Sequence, residues 1–505
     1  MGYLIVATIH NLFFHPLSSA PGPFLARISS LPSFYHACKG DRHLWIWQNF
    51  QIYGDKFRAA PNTILFNSPR AYTDIHGTRA YIVRGSFYSA WKRNERDLQL
   101  FNITDPSLHA TRRKLLNLAF TDQALKAATP VVAKHIDRWI GLLGENEGDS
   151  EGWSPPVNMA VAVSQLVFDI LGELCFGESF NIKEPGDNEL KEVPERILKQ
   201  IAFGYKLSKS PIFGAILYLQ PRGLLKVLEK IRSKQVKVYN TFMENSVDRR
   251  IAAHRANPSP EAKDMFHFLL KAIYPDDNLP EYPDRNYFLC EARLNMITGF
   301  DTTTTTLSGL FFYLSHYPTV LAKLVMEIRS AFNTSEEIVP GVKLNQCKYL
   351  RACIDEGLRL AHPVPGEMPR QVRPGGAVIE AVHYPAGTKV GCAAWAFGRN
   401  ESVYGDASVF RPERWMPSDE EEFVRLRRAF HPSSIGPLNC VGQGLAMLEL
   451  QLVMAKTVWA MDFGPAPGVK MENEPELEYP PVYHFKDTHI VTKDGRSLRF
   501  RPRFK

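Results

Sequence analysis

The stretch from Asp284 to about His316 constrains the fold of this chain more than any other. Asp284 offers an N-cap and Pro318 a stop, so everything between reads as one long helix. Its middle is unusual helix material: Thr298-Gly299-Phe300-Asp301-Thr302-Thr303 runs on through Thr304, Thr305 and Thr306. A glycine and consecutive β-branched residues weaken a helix interior. Threonine hydroxyls can also bond back to carbonyls one turn earlier, bending or opening the helix. We expect an opened turn in which an acid and a hydroxyl face a small polar ligand. A Thr-rich amphipathic face without chemistry is the plain alternative.

Other helix signals lie at Thr111 to Ala119, Ala124 to Leu143, Met159 to Phe176, Leu224 to Arg255 and Cys347 to Leu360. Strand signals gather later. Ala377 to His383 and Thr388 to Ala393 flank the turn Pro385-Ala386-Gly387, and a hairpin is expected over His489 to Phe500 around Asp494-Gly495. The pattern is mainly α with small β-sheets (α+β), without an internal linker or repeat.

Near the end stands Cys440, in Ser434-Ile435-Gly436-Pro437-Leu438-Asn439-Cys440-Val441-Gly442-Gln443-Gly444, just ahead of an apolar helical stretch from Leu445 to Met461. The glycines allow a tight loop and close approach to a flat object. The helix start favours a thiolate, hence a metal ligand or a nucleophile, against the alternative of a structural thiol. Glu356 and Arg359 are three apart on one helix face. The same E-x-x-R spacing begins at Glu229, Glu367 and Glu422, where solvated pairs are expected. Arg414, in Phe410-Arg411-Pro412-Glu413-Arg414-Trp415, could complete a buried network with Glu356 and Arg359.

The seven cysteines are scattered and form no C-x-x-C pair, which removes zinc-ribbon and thioredoxin-like readings and suits a reducing, cytosol-facing environment. Net charge is +7, a basic surface fit for an acidic partner or an anionic membrane. No Lys/Arg block is interleaved with aromatics, so nucleic acid is set aside. Residues 1–26 carry no Lys, Arg, Asp or Glu, but His10, Asn11, His15 and Pro16 interrupt the run before a membrane-crossing length is reached. We expect a membrane-contacting segment there, a shortened or incomplete anchor, closed by the Pro21-Gly22-Pro23 hinge. An apolar arm packed on the domain is the alternative.

Together, in this order and spacing, the Thr-rich helix, the E-x-x-R pair, the Arg414 motif and the cysteine loop resemble the cytochrome P450 family of haem-thiolate monooxygenases. The resemblance covers nearly the whole chain and implies the cytochrome P450 fold, with one haem domain over 27–505. It implies that Cys440 is the axial ligand of haem b iron and that Gly436 and Gly442 shape the loop against the haem. Asp301 and Thr302 match the acid–alcohol pair that delivers protons to the oxygen site, and Glu356, Arg359 and Arg414 match the family's ion-pair network. His109 and Arg113 align with the helix that reaches a propionate, and Arg370 with another propionate contact. The opening Asn11-Leu12-Phe13-Phe14-His15-Pro16-Leu17 is similar to fungal microsomal members, many of which act on polyketide, terpenoid or alkaloid intermediates.

The resemblance further implies endoplasmic reticulum membrane attachment with the catalytic domain facing the cytosol. Electrons would come from NADPH through a separate flavin reductase, with cytochrome b5 as a further partner. The reaction expected is insertion of one oxygen atom from O2 into an apolar small molecule. Desaturation, ring coupling or rearrangement, or a haem-binding protein with lost turnover, are the alternatives. Three residues depart from the family pattern: Ser433 in place of Phe, Leu438 in place of Arg or His, and Thr298 in place of Ala or Gly. They point to weaker haem anchorage or a shifted potential. Phe87, Tyr88, Trp91, Phe300 and Val364 are candidates to line the substrate pocket.

Overall fold

The computed structural model describes residues 2–504 except 95, 146–147, 225–226, 228–233, 258–263, 275–283, 467–479 and 494. Helix accounts for 59% of the chain and the sheets are small, which is the mainly α architecture expected.

The long helix spans Arg285–His316. Asp284 caps it, its carboxylate accepting from the Tyr287 amide at 3.1 Å, and Pro318 opens the next helix, Pro318–Ala331. It crosses the centre of the molecule, buried on every side from Thr303 to Leu314. Met159–Phe176 packs along it. Although Met159–Phe176 is long and apolar enough to cross a membrane, 72% of it is buried, so it is a core helix. Lys348–Leu360 crosses the long helix closely at Gly357, where a Cβ would come within 2.5 Å of the Leu310 side chain.

The Thr-rich turn is not opened. Helix continues unbroken, and Thr298, Thr302, Thr304 and Thr306 donate to the carbonyls of Leu294, Thr298, Phe300 and Thr302 at 2.7–3.1 Å. Burial on all sides outweighs the weak intrinsic propensity of β-branched residues.

The first strands are β1 (Lys56–Ala60), β2 (Thr63–Phe66), β3 (Ile82–Val83) and β4 (Val157–Asn158). Next come β5 (Arg370–Val372), β6 (Ala377–Ile379), β7 (Val382–Tyr384) and β8 (Lys389–Cys392). The last are β9 (Met461–Pro465), β10 (Lys486–Thr488), β11 (Ile490–Thr492) and β12 (Ser497–Pro502). The largest sheet has the order β1-β2-β8-β5-β3.

Two strand expectations are corrected. Ala377 to His383 is not one strand: β6 and β7 fold back on each other around Glu380 and Ala381, both at positive φ. The hairpin expected over His489 to Phe500 does not form. β11 pairs with β10, whereas β12 joins β9 and β4, because Leu498 and Phe500 find their apolar partners there. Asp494 lies outside the described residues, as does much of the stretch from Leu224; helix is described over Lys234–Ala256.

At the N-terminus, helix Gly2–Ile9 continues into a π-helical turn, His10–Phe14. Arg58 ties this segment to β1 by donating to the Asn11 carbonyl at 2.9 Å. Its apolar side chains point outward: Phe13 is 71% and Phe14 74% exposed, beside exposed Ile5, Val6, Phe24 and Leu25.

The helix after the cysteine loop, Gln443–Ala460, lies in the core and carries a fully buried acid, Glu449, hydrogen-bonded by Thr303. Burial pushes its carboxyl from 4.5 up to about 8. The folded chain therefore keeps a proton that the unfolded chain gives up between these values, and stability falls as pH rises through that window. Compared with Glu449→Gln, the wild type is expected to lose at most about 1.4 kcal/mol per pH unit from 4.5 to about 8, read by denaturant unfolding across pH. Parallel pH profiles of the two proteins would refute this.

Candidate functional site

One cavity of about 820 Å³ joins the cysteine loop to the Thr-rich helix, and Cys440, Thr298, Thr302, Thr303 and Thr306 all line it.

The cysteine loop is built by a short 3-10 turn, Gly436–Leu438, with the Cys440 amide donating to the Ser433 carbonyl at 2.8 Å. Gly436 has φ 72°, and a Cβ there would sit 2.2 Å from the His76 carbonyl oxygen, so only glycine fits. Gly442 contributes its amide, which hydrogen-bonds Cys440. Cys440 is surrounded by protein atoms, and its exposed side chain opens onto the cavity. Burial raises its thiol pKa; the Gly442 amide and Arg113 oppose this without winning. The helix start does not lower the thiol pKa here; a coordinated metal ion would deprotonate the thiol outright.

Arg113 and His109 share a face of helix Pro106–Asn117, which Asp105 caps through the Leu108 amide. Arg113 grips the loop itself, donating to the Asn439 carbonyl at 2.5 Å and to its side-chain oxygen at 2.8 Å. Arg370 begins β5 and donates to the Tyr88 hydroxyl at 2.5 Å. Arg84, which the sequence reading missed, joins them in the cavity wall, its Nη1 donating to the Leu100 carbonyl at 2.5 Å. Burial, then Arg84, Arg113 and Arg370, push His109 down to about 4. Burial and the neighbouring arginines also lower Arg84 to about 10.

The Arg84 Nε and His109 Nε2 atoms are buried without hydrogen-bond partners among the described residues. Arginines gathered around a histidine, with no carboxylate among the influences on Arg84 and His109, suit an anion. Haem fits this site: its propionates would meet the cations while its iron met the Cys440 sulfur. The signal for Arg84 in the sequence was slight, an isolated arginine just before the aromatic run Phe87-Tyr88-Trp91.

Glu356, Arg359 and Arg414 meet as a buried network. Glu356 Oε1 accepts from Arg359, Arg414 Nε and the Arg411 amide, and Oε2 from Arg359 Nε and Trp415 Nε1, all at 2.8–2.9 Å. Arg359 also donates to the carbonyls of Gly398 and Ala407 at 2.5 Å, and Arg414 to that of Tyr404 at 2.5 Å. At the end of the same helix, the His362 ring bonds the Pro432 backbone beside the cysteine loop.

The other E-x-x-R acids divide. Glu422 pairs with Arg425 at the surface, and Glu229 lies outside the described residues. Glu367 is not a solvated partner of Arg370: it is buried and held by Arg42 at 2.5 and 3.0 Å and by Lys209 at 2.7 Å. Two cations brought from distant helices compensate its desolvation, which no local spacing could indicate.

The acid–alcohol pair separates across the helix. Thr302 faces the cavity, whereas Asp301 is fully buried on another side, bound by Lys493 Nζ at 2.9 Å. Lys493 also reaches the Thr305 hydroxyl at 2.9 Å. Burial raises the Asp301 pKa and Lys493 pulls it back down. Ser433 and Leu438 line the cavity with Trp91 and Val364; Phe87, Tyr88 and Phe300 are packed in the core behind it.

The cytochrome P450 family model matches residues 20–484. The chain is 31% identical to cytochrome P450 monooxygenase poxM of Penicillium oxalicum, over 99% of this chain and 93% of the relative. It is 31% identical to cytochrome P450 monooxygenase AKT7 of Alternaria alternata, over 93% and 88%. For cytochrome P450 monooxygenase apf7 of Gibberella fujikuroi, identity is again 31%, over 99% and 96%. Membership implies a haem-thiolate centre, a redox partner and a small-molecule substrate. A cysteine opening onto a cavity, an anion-demanding cluster beside it and full-length kinship lead to one reading: the chain belongs to the cytochrome P450 family and is an oxidoreductase that incorporates oxygen from O2.

Proposed function

We propose that this enzyme inserts one oxygen atom into an apolar intermediate of fungal specialised metabolism, a polyketide, terpenoid or alkaloid, with Cys440 as the axial ligand. The observation that carries this reading is the meeting of Cys440 and Thr302 on one cavity whose wall holds a cluster of cations. Thiolate-ligated haem supplies the activation of O2, the cysteine pushing electron density that favours O–O cleavage.

The chain's own residues do the rest. Arg84, His109, Arg113 and Arg370 hold the propionates, and Arg113 takes over the support that Leu438 cannot give, through Asn439. The Glu356 network and Gly436 keep the sulfur in place. Thr302 presents a hydroxyl hydrogen-bonded to the Thr298 carbonyl, placed to pass a proton into the cavity. Asp301, one residue earlier, is held by Lys493 on another side of the helix, so a proton role for it requires that ion pair to open. Electrons come from NADPH through a separate flavin reductase docking on the basic face near Cys440, with cytochrome b5 as a further donor. The outward Ile5, Val6, Phe13, Phe14, Phe24 and Leu25 support residues 1–26 as a segment resting in the endoplasmic reticulum membrane, with 27–505 as the catalytic domain on the cytosolic side.

The test is expression with ample haem, a reduced carbon monoxide spectrum for thiolate ligation, then product mass with reductase and NADPH. Hydroxylation adds one oxygen, whereas desaturation removes two hydrogens. An apoprotein would overturn the reading. Positioned proton transfer is worth about 10²–10⁴-fold. Thr302→Ala is therefore expected to cut product per NADPH at least about tenfold and release hydrogen peroxide. Unchanged coupling would remove Thr302 from this role.

A further inference from the structure

Strands β10 and β11 pair to their very ends, Thr488 opposite Ile490, so the chain reverses on a single residue, His489. Its φ is 81°, a left-handed setting that residues other than glycine rarely adopt, and strain of this kind gathers at functional positions. The turn is pinned by two hydrogen bonds. The Asp487 carboxylate accepts from the His489 amide at 3.2 Å, and the Thr488 hydroxyl donates to the Ile490 carbonyl at 2.6 Å. His489, 6% exposed, thereby enters the wall of the cavity that holds Cys440 and Thr302.

The imidazole is stacked between Trp91 and Tyr205, with ring centroids 5.4 and 5.7 Å away. Phe87 and Phe101 stand at 5.2 and 6.0 Å. Four rings fix its orientation, yet neither ring nitrogen has a hydrogen-bond partner among the described residues. An unpaired polar edge in an aromatic box costs free energy that phenylalanine at the same place would not. Burial, then Lys209, push the imidazole down to about 3, with Glu367 opposing and Arg42 adding to the fall. The ring is therefore neutral near pH 7 and offers one N–H donor and one nitrogen acceptor. Such an edge matches a hydroxyl or an amide and holds no charge for a carboxylate.

The turn is also registered against the oxygen site. Lys493, directly after β11, binds the Asp301 carboxylate and the Thr305 hydroxyl, each at 2.9 Å, on the helix that carries Thr302. We propose that His489 is a specificity-determining residue, its imidazole edge hydrogen-bonding a neutral hydroxyl or amide of the substrate while another part of that molecule lies at Thr302. The proposal rests on the monooxygenase reading above and narrows its substrate class to apolar molecules bearing such a group.

The probes are 2-naphthol and 2-methylnaphthalene, which share a shape and exchange a hydroxyl for a methyl group. Holoenzyme is dialysed to equilibrium against each, a readout that needs no turnover, and the ratio of the two affinities is compared between proteins. His489→Phe keeps an aromatic ring in the stack and removes the nitrogens. Its naphthol-to-methylnaphthalene ratio is expected to fall at least about threefold below that of the wild type, as loss of one neutral hydrogen bond does. Methylnaphthalene affinity is expected to stay unchanged. A ratio unchanged in His489→Phe overturns the proposal, as does a wild type that binds no naphthol. Should phenylalanine not tolerate the positive φ, an unchanged ratio in His489→Gly overturns it equally. A reduced carbon monoxide spectrum without thiolate character overturns the monooxygenase reading instead, a separate result.

Discussion

Cys440→Ser is expected to abolish monooxygenase turnover, leaving no more than free haem produces. A serine hydroxyl fits the loop, because the Ser433 carbonyl holds the backbone amide, which the substitution leaves in place, and the Gly442 amide meets a side chain of nearly the same size. It cannot ligate as a soft anion, and the electron push that drives O–O cleavage goes with the sulfur. The measurements are the reduced carbon monoxide spectrum, which loses its thiolate signature, and product formation with reductase and NADPH. Haem content is expected to fall less sharply than turnover, because Arg84, His109, Arg113 and Arg370 remain. Retained turnover in this variant would mean that another group ligates the iron.

The second large effect is on stability. Glu356→Gln leaves Arg359 and Arg414 facing an uncharged amide inside the core, where both guanidiniums are nearly inaccessible to solvent. Removing one partner of a buried ion pair costs roughly 3–5 kcal/mol, because the stranded charge stays desolvated. Five hydrogen bonds converge on this carboxylate, so the loss is expected towards the upper end, read as a lower denaturant midpoint and a poor yield of holoenzyme. Arg414→Lys, which keeps the charge and loses the planar fork, is expected to cost less. A Glu356→Gln protein as stable as the wild type would show that the network contributes no net stability.

Local signals served well where the physics is local. Asp284 and Pro318 mark the long helix because capping and proline geometry act over a few residues. The cysteine loop was readable because its glycines and the helix after it are contiguous in sequence. The departures all come from distance. Glu367 is buried because Arg42 and Lys209 arrive from other helices. Arg84 enters the cation cluster through the fold, with no motif around it. Asp301 turned from the cavity because Lys493, from the end of the chain, binds it on another side of the helix. The threonine run stayed helical because its neighbours bury it, and propensity counts only the run itself.

The clasp of Arg113 on Asn439 joins residues 326 positions apart. Gly436 likewise fits only against His76, from the first sixth of the sequence. On the ribosome, Cys440 emerges after most of the catalytic domain has been made, and its loop is shaped by parts that must already have docked. The loop that presents the sulfur is thereby among the last parts of the fold to take shape, because it depends on long-range contacts with chain made much earlier.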